Sequence, residues 1–340
     1  MSLLKRLKKS SSIKESVILS ESKYYDPNWA QPIPTEIPML NVALSGHPEG
    51  GLTSGILMIC GDSKHFKTGF MLETAKGFMN KYPEDGVILF YDSEFGAPIS
   101  YFKSRGIDMG KVLHCPIRTV EELRIDLAKQ LVTLTEDDNV FIMIDSIGNL
   151  ASKKEAEDAE DGKTTVDMTR AKALNSLFRI VTPHLTMKNI PFVVINHTYD
   201  TMDGKGAKVV SGGKKVYLSA DDVWIIGRQQ DKDAEGLHGF RFVVNIDKSR
   251  ACVERSKVLI HSTFKDGIDK YSGLYDEAKE CGLLIPAGAW VKQVNFETGE
   301  VSENKRRADI EEDVDFFEKL LKHPPFIKHL ANKFKLINED

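Results

Sequence analysis

Gly61, Lys67 and Thr68 occupy three of the four fixed places of a phosphate-binding loop, G-x-x-x-x-G-K-[ST], in the stretch ILMICGDSKHFKT at 56–68. Phe66 stands where the second glycine belongs. In such a loop the backbone N–H groups across Asp62, Ser63, Lys64, His65, Phe66 and Gly69 turn inward, and the following helix presents its positive end. A triphosphate is then held by oriented donors, with Lys67 adding a full charge and the Thr68 hydroxyl placed to ligate a Mg²⁺ that bridges the β- and γ-phosphates. Placement between an apolar strand and an amphipathic helix separates this match from a chance G-x-x-x-x-x-K-T.

Such a metal site also needs a carboxylate at the end of a neighbouring apolar strand, and Asp145 in VFIMIDS meets that need. Ser146 follows it, in the place where many ATPases carry a catalytic glutamate, so the base must come from another strand. Asp92 and Glu94 end the run LFYDSEFG; a carboxylate there can orient or deprotonate an attacking water, and Glu94 is the preferred one. Asn196 or His197, in VVINHT, ends a fourth run just before a glycine-rich stretch, where a polar side chain can couple nucleotide state to loop conformation. The chain has no N-K-x-D guanine motif, and its LSG at 44–46 precedes the phosphate loop, whereas an ABC signature would follow it. GTPase and transporter-ATPase readings are therefore disfavoured.

The elements that must position these residues follow from apolar periodicity. Short β-rich runs recur at 56–60, 87–91, 140–144, 192–195 and 222–226, and helical patterns at 68–80, 120–133 and 168–187 separate the first four. Strand–helix–strand repetition predicts a largely parallel sheet covered on both faces, which explains why its strands read as continuous apolar runs. Residues 240–247 and 257–263 extend the sheet as an antiparallel pair, and helical patterns at 310–322 and 326–336, divided by Pro324 and Pro325, predict a small helical C-terminal domain. The leading element, residues 1–34, closes at a proline cluster. Two long segments directly follow core strands: 151–167, acidic overall, and 199–218, with four glycines and the cations Lys205, Lys208, Lys214 and Lys215. Glycine-rich loops at strand ends commonly bind ligands.

With 340 residues, 41% hydrophobic and 28% charged, the chain can bury one large core and a small appended domain. A net charge of −4 argues against binding a polyanion with the whole surface, so any nucleic-acid contact must be local. The opening MSLLKRLKKSSS is basic and amphipathic, suited to a contact arm, a membrane-surface segment or a solvated terminus. No run approaches the ~20 apolar residues of a membrane helix, and no signal-peptide core is present, so a reducing, cytoplasmic or nuclear-like setting without membrane attachment is expected. Cys60, Cys115, Cys252 and Cys281 lack metal-type spacing and read as structural thiols.

Taken together, GDSKHFKT, FYDSEFG, FIMIDSIGNL, VVINHT, SGGKKVYLSADDVWIIGR, FVVNIDKSR and GIDKYSGLYDEAKECGLLIPAGAW resemble the RecA family, and within it the recombinases of T4-like bacteriophages, over residues 35–295. That branch also carries Phe before the loop lysine. The resemblance implies an α/β fold: a RecA-like P-loop ATPase core (35–285) with a mostly parallel central sheet, an N-terminal oligomerisation segment (1–34) and a small C-terminal domain (286–340). It implies a DNA-dependent ATPase, using ATP and Mg²⁺, that self-assembles into a helical filament on single-stranded DNA and exchanges strands with homologous double-stranded DNA. A single-strand-binding protein and a recombination mediator would be its partners, in the cytoplasm of a phage-infected bacterium. Glu94 matches the family's catalytic glutamate, Asp145 its metal carboxylate, and Tyr101 a tyrosine stacked on adenine. His197 replaces a glutamine sensor, and Lys248 and Arg250 match two cations that reach the neighbouring subunit's γ-phosphate. The two long segments match the DNA-binding loops, to which Arg170 and Lys172, or Lys153 and Lys154, would add phosphate contacts. The competing readings are a hexameric RecA-like helicase motor and a non-hydrolysing mediator or scaffold.

Overall fold

Unbroken burial along three apolar runs, Gly55–Cys60, Val140–Asp145 and Pro191–Asn196, marks the centre of one nine-stranded sheet. The computed structural model describes residues 2–26, 28–163, 169–200, 208–233, 236–265 and 267–336. Its strands are β1 (Gly55–Cys60), β2 (Val87–Asp92), β3 (Val112–Pro116), β4 (Val140–Asp145), β5 (Pro191–Asn196), β6 (Thr198–Asp200), β7 (Lys208–Val210), β8 (Asp222–Asp233), β9 (Gly236–Lys248), β10 (Lys257–Thr263), β11 (Gly267–Ile268), β12 (Leu284–Ala287) and β13 (Trp290–Gln293). Its helices are α1 (Leu3–Ser10), α2 (Pro38–Ser45), α3 (Lys67–Lys81), α4 (Ile99–Lys103), α5 (Val120–Thr133), α6 (Lys153–Glu160), α7 (Thr169–Met187), α8 (Lys214–Ser219), α9 (Leu274–Glu280), α10 (Arg307–Glu311), α11 (Val314–Leu320) and α12 (Pro324–Phe334).

The main sheet runs β11-β10-β9-β8-β1-β5-β4-β2-β3. Strands β8 to β3 are parallel, and β9, β10 and β11 add on antiparallel. Alternate residues feed two cores. Leu57, Ile59, Phe141, Met143, Val193 and Ile195 meet α2, α3 and the C-terminal helices on one face, where Phe316, Phe317, Phe326 and Phe334 are fully buried. Ile56, Met58, Ile142, Ile144, Phe192 and Val194 meet α5 and α7 on the other. Register aligns the carboxyl ends: Cys60 pairs with Asn196 and Asp92 with Asp145, so the residues that follow these strands emerge along one edge. In parallel sheets that edge, beside strands whose order reverses, is where ligands bind.

The elements depart from expectation where periodicity is weak. β3 was not predicted because it is half exposed and mixes polar with apolar residues. Within 151–167 lies α6, a helix with no buried residue, opened by a capping box between Ser152 and Glu155; with no apolar stripe it reads as loop. The predicted helix at 310–322 is two helices, α10 and α11, because Asp313 caps a new start by accepting from the Phe316 N–H at 2.9 Å. A hairpin, β12–β13, precedes them, so the C-terminal part is not purely helical. Pro324 and Pro325 open α12 at its first positions, where a missing N–H costs nothing. Glu277, buried on α9, takes His329 at 3.1 Å and Lys333 at 2.9 Å and fastens α12 to it. All four cysteines are free. Among the described residues no helix is long and apolar enough to cross a membrane.

Candidate functional site

The phosphate loop leaves β1 at Gly61 and enters α3 at Lys67, and β8 pins it from the side. His65 Nδ1 lies 2.6 Å from the Ile226 carbonyl, and Arg228 Nη1 donates to the Lys64 carbonyl at 3.0 Å. Lys67 is buried, its ammonium donating to the Asp62 carbonyl at 2.8 Å. Burial lowers its pKa, against the opposing pull of Glu94 and Asp145. Thr68, in the first turn of α3, donates to Asp145 Oδ2 at 2.7 Å across 77 residues of sequence. The fold thus brings the hydroxyl and the carboxylate together.

Asp145 ends β4 almost fully buried. Burial pushes its pKa up to about 6, Glu94 and Asp92 add to the rise, and the Thr68 bond opposes it. Two hard oxygen donors, one on a buried carboxylate and one on a hydroxyl, suit a Mg²⁺ ion better than a thiophilic metal.

Glu94 sits in the turn after β2, whose shape Asp92 sets by accepting from the Glu94 and Phe95 N–H groups at 3.1 and 2.7 Å. Its Oε1 accepts from Ser146 Oγ at 2.5 Å and Asn149 Nδ2 at 3.0 Å, and His197 Nε2 lies 3.0 Å away. The His197 bond holds the carboxyl well below its ordinary value, at about 2, with Ser146 helping and burial opposing. His197 fits there because Gly148 faces it: a Cβ on Gly148 would lie 2.1 Å from the imidazole Cδ2. Of the pair Asn196 and His197, only His197 reaches Glu94; Asn196 turns inward, its amide donating to the Ser211 carbonyl at 2.9 Å.

These groups share one cavity of about 880 Å³, lined by Ser63–Gly69, Glu94, Tyr101, Asp145 and His197. Its other wall, which the sequence reading missed, is the antiparallel ribbon: Arg228, Phe240, Phe242, Ser262 and Phe264. Phe240 and Phe242 are alternate residues of one strand and so share a face, a pattern visible in the sequence, but nothing local says what that face meets. Arg105, also missed, lines the cavity and pairs with Glu73 at 2.7 Å.

Lys248 and Arg250 do not line this cavity. Lys248 pairs in register with Val223 near the start of β8, whereas the phosphate loop leaves β1 where Cys60 pairs with Ile225. Within one chain they hold other partners: Lys248 donates to the Leu218 carbonyl at 3.0 Å, and Arg250 meets Asp221 at 2.6 Å.

The cations expected on the long segments divide three ways. Lys172, Lys214 and Lys215 are exposed, the last two in the first turn of α8. Lys153 and Lys154 are exposed on α6 with Glu157 and Asp158 one turn away, and Lys208 on β7 is shared by Asp62 and Asp200 at 3.0 and 2.9 Å. Arg170, expected to contact phosphate, is half-buried and donates to the Leu150, Ile147 and Gly148 carbonyls at 2.6–2.7 Å, shaping the turn behind Asp145. Lys205 lies outside the described residues.

Comparison with known proteins adds a second line. A family model, that of the C-terminal domain of the bacteriophage T4 recombination and repair protein, matches residues 271–330. Over 339 residues the chain is 45% identical to the recombination and repair protein of Enterobacteria phage T4, covering 98% of this chain and 86% of that protein. It is 26% identical to protein RecA of a Nocardioides species over 280 residues (81% and 76% covered) and 27% identical to protein RecA of Chloroherpeton thalassium over 258 (74% and 69%).

Proposed function

The chain belongs to the family of the phage T4 recombination and repair protein, a RecA-like recombinase family, and from that premise we propose that it is a DNA-dependent ATPase whose nucleotide clamps a filament onto single-stranded DNA. One observation carries the ATPase reading: Lys67, Thr68, Asp145 and Glu94, from three separate strand ends, converge on a single cavity. ATP is the substrate. Lys67 and the loop amides bind its phosphates, and Tyr101, at the cavity's edge and 44% exposed, offers a face to the base. Mg²⁺, held by Thr68 and Asp145, supplies neutralisation of phosphate charge when bound.

Glu94 orients the attacking water. Held near pKa 2 it stays ionised at neutral pH, which makes it a strong acceptor for positioning a water but a weak base. Its three partners all meet Oε1, which leaves Oε2 to accept from the water. His197 is the partner placed to sense the site, since the backbone of β6 follows it directly and leads into the second long segment. His197 therefore reports nucleotide state to that segment. Lys248 and Arg250 complete a neighbour's site in trans, a reading supported by neither of them lining their own chain's cavity.

The DNA contacts are proposed for Lys172, Lys214 and Lys215, with Lys153, Lys154, Lys205 and Lys208 as further candidates. Residues 1–34 serve oligomerisation, 35–285 hydrolysis and 286–340 form the small C-terminal domain. Double-stranded DNA, a single-strand-binding protein and a mediator are the expected partners, in the cytoplasm of an infected bacterium.

Phosphate release with and without single-stranded DNA, electron microscopy with a non-hydrolysable ATP analogue, and a strand-exchange assay test this together. DNA-stimulated release, filaments and exchange are expected. Closed rings would favour a helicase motor, and absence of hydrolysis a scaffold.

A further inference from the structure

Phe66 is the one departure of the phosphate loop from its motif, and the surrounding fold makes room for it. Its backbone is left-handed, φ 59° and ψ 22°, immediately before α3. An L side chain is disfavoured there, and glycine is the ordinary solution. The ring stacks on Phe242 of β9, centroids 5.1 Å apart, and meets Phe70 of α3 edge-on at 5.5 Å. The Arg105 guanidinium, anchored by Glu73, stands 6.0 Å from its centroid. Gly69 closes the remaining side: a Cβ there would lie 2.2 Å from Phe66 Cε1 and 2.5 Å from Cδ1. The ring cannot move aside for a methyl group without unpacking Phe242 or Phe70.

We propose that Phe66 is a positioning residue for the triphosphate: its ring, clamped by Phe242, Phe70 and the bare Cα of Gly69, fixes the left-handed turn that aims the loop amides and Lys67 into the cavity. This rests on the reading of that cavity as an ATP site. A glycine at 66 reaches the same turn but many others too, so the ligand must order the loop at each binding event; the packed ring orders it beforehand. Phe66 and Gly69 are consequently one unit. A side chain at 69 is incompatible with a ring at 66, and either residue alone is the wrong one to change.

The test titrates a non-hydrolysable ATP analogue with Mg²⁺ into the full-length protein and its Phe66→Gly, Phe66→Leu, Gly69→Ala and Phe66→Gly/Gly69→Ala variants by calorimetry. Turnover at saturating single-stranded DNA and thermal melting are followed in parallel. Gly69→Ala is expected to weaken binding about 10-fold or more, and Phe66→Gly about 3-fold to 10-fold with KM moving more than kcat. The double variant should bind more tightly than Gly69→Ala alone, because the methyl then meets empty space. If Gly69→Ala does not fold, Phe66→Leu carries the test, with weaker binding at near-native melting expected. Wild-type affinity in Gly69→Ala or Phe66→Leu, or a double variant no better than Gly69→Ala, overturns the positioning role. A wild type that binds no analogue overturns the ATP-site reading itself, and the positioning role falls with it.

Discussion

Around the phosphate loop the charged groups proposed for catalysis are each held by a neighbour: Lys67 by the Asp62 carbonyl, Asp145 by Thr68, and Glu94 by Ser146, Asn149 and His197. In the segments proposed to face DNA, Lys172, Lys214 and Lys215 stand exposed, and Lys153 and Lys154 meet only surface carboxylates. The contrast follows from the two tasks proposed for these regions. Hydrolysis depends on placing a water and a phosphoryl group to within a fraction of an ångström, so its side chains are locked by neighbours. Holding a polyanion depends on the number of cations delivered to a surface, and mobile lysines serve as well as fixed ones. Single substitutions should therefore be catastrophic in the first region and graded in the second.

The largest effect is expected from Lys67→Ala, a loss of turnover of about 10³-fold in a DNA-stimulated phosphate-release assay. Glu94→Gln should slow hydrolysis about 10²-fold to 10³-fold while ATP-dependent DNA binding survives in a filter-binding measurement. Normal turnover by that variant would remove the water-orienting assignment and blur the contrast.

Asp145→Asn separates stability from activity. The carboxyl's pKa is about 6 in the folded chain against an ordinary 3.8, so the folded state holds the proton more tightly and stability falls as pH rises through that window. Without nucleotide or metal, Asp145→Asn should therefore be more stable than the wild type at pH 7, by about 1–3 kcal/mol in denaturant titrations. The difference should vanish as pH approaches 4, and activity should be lost throughout. Glu94 has the opposite sign: depressed from 4.5 to about 2, it contributes stability that is complete above pH 4.5 and is lost as pH falls toward 2. His197→Ala should flatten that acid limb.

The smallest effects belong to the second region. Lys214→Ala and Lys215→Ala should each weaken single-stranded DNA binding a few-fold and reduce the salt slope by about 0.7. Arg170→Ala should instead lower melting temperature with little change of slope, because its guanidinium is spent on backbone carbonyls. A full unit of slope lost on Arg170→Ala would return that residue to the DNA surface.

Much of this was legible in the order of residues. A strand that ends in a glycine loop, or in a buried carboxylate, carries its chemistry to the sheet edge by covalent adjacency. Gly61, Lys67, Asp145 and Glu94 could therefore be named from pattern, and the alternation of strand and helix dictated that their edges coincide. Helix α6 and strand β3 were not legible, since neither buries enough apolar surface to leave a period.

What tertiary structure alone decided are meetings between distant segments. The sequence by itself determined which groups are available and at which strand ends they emerge, because periodicity and local connection are properties of a single stretch of chain. It could not determine that Arg170 would turn inward, that His197 and not Asn196 would reach Glu94 beside Gly148, or that a ribbon of phenylalanines would wall the cavity. Nor could it show that Phe66, in a glycine's conformation, would be held by Phe242, 176 positions away, and by the missing side chain of Gly69. Each depends on packing across the sheet, where shape complementarity between remote side chains, and not the pattern around any one of them, sets the outcome.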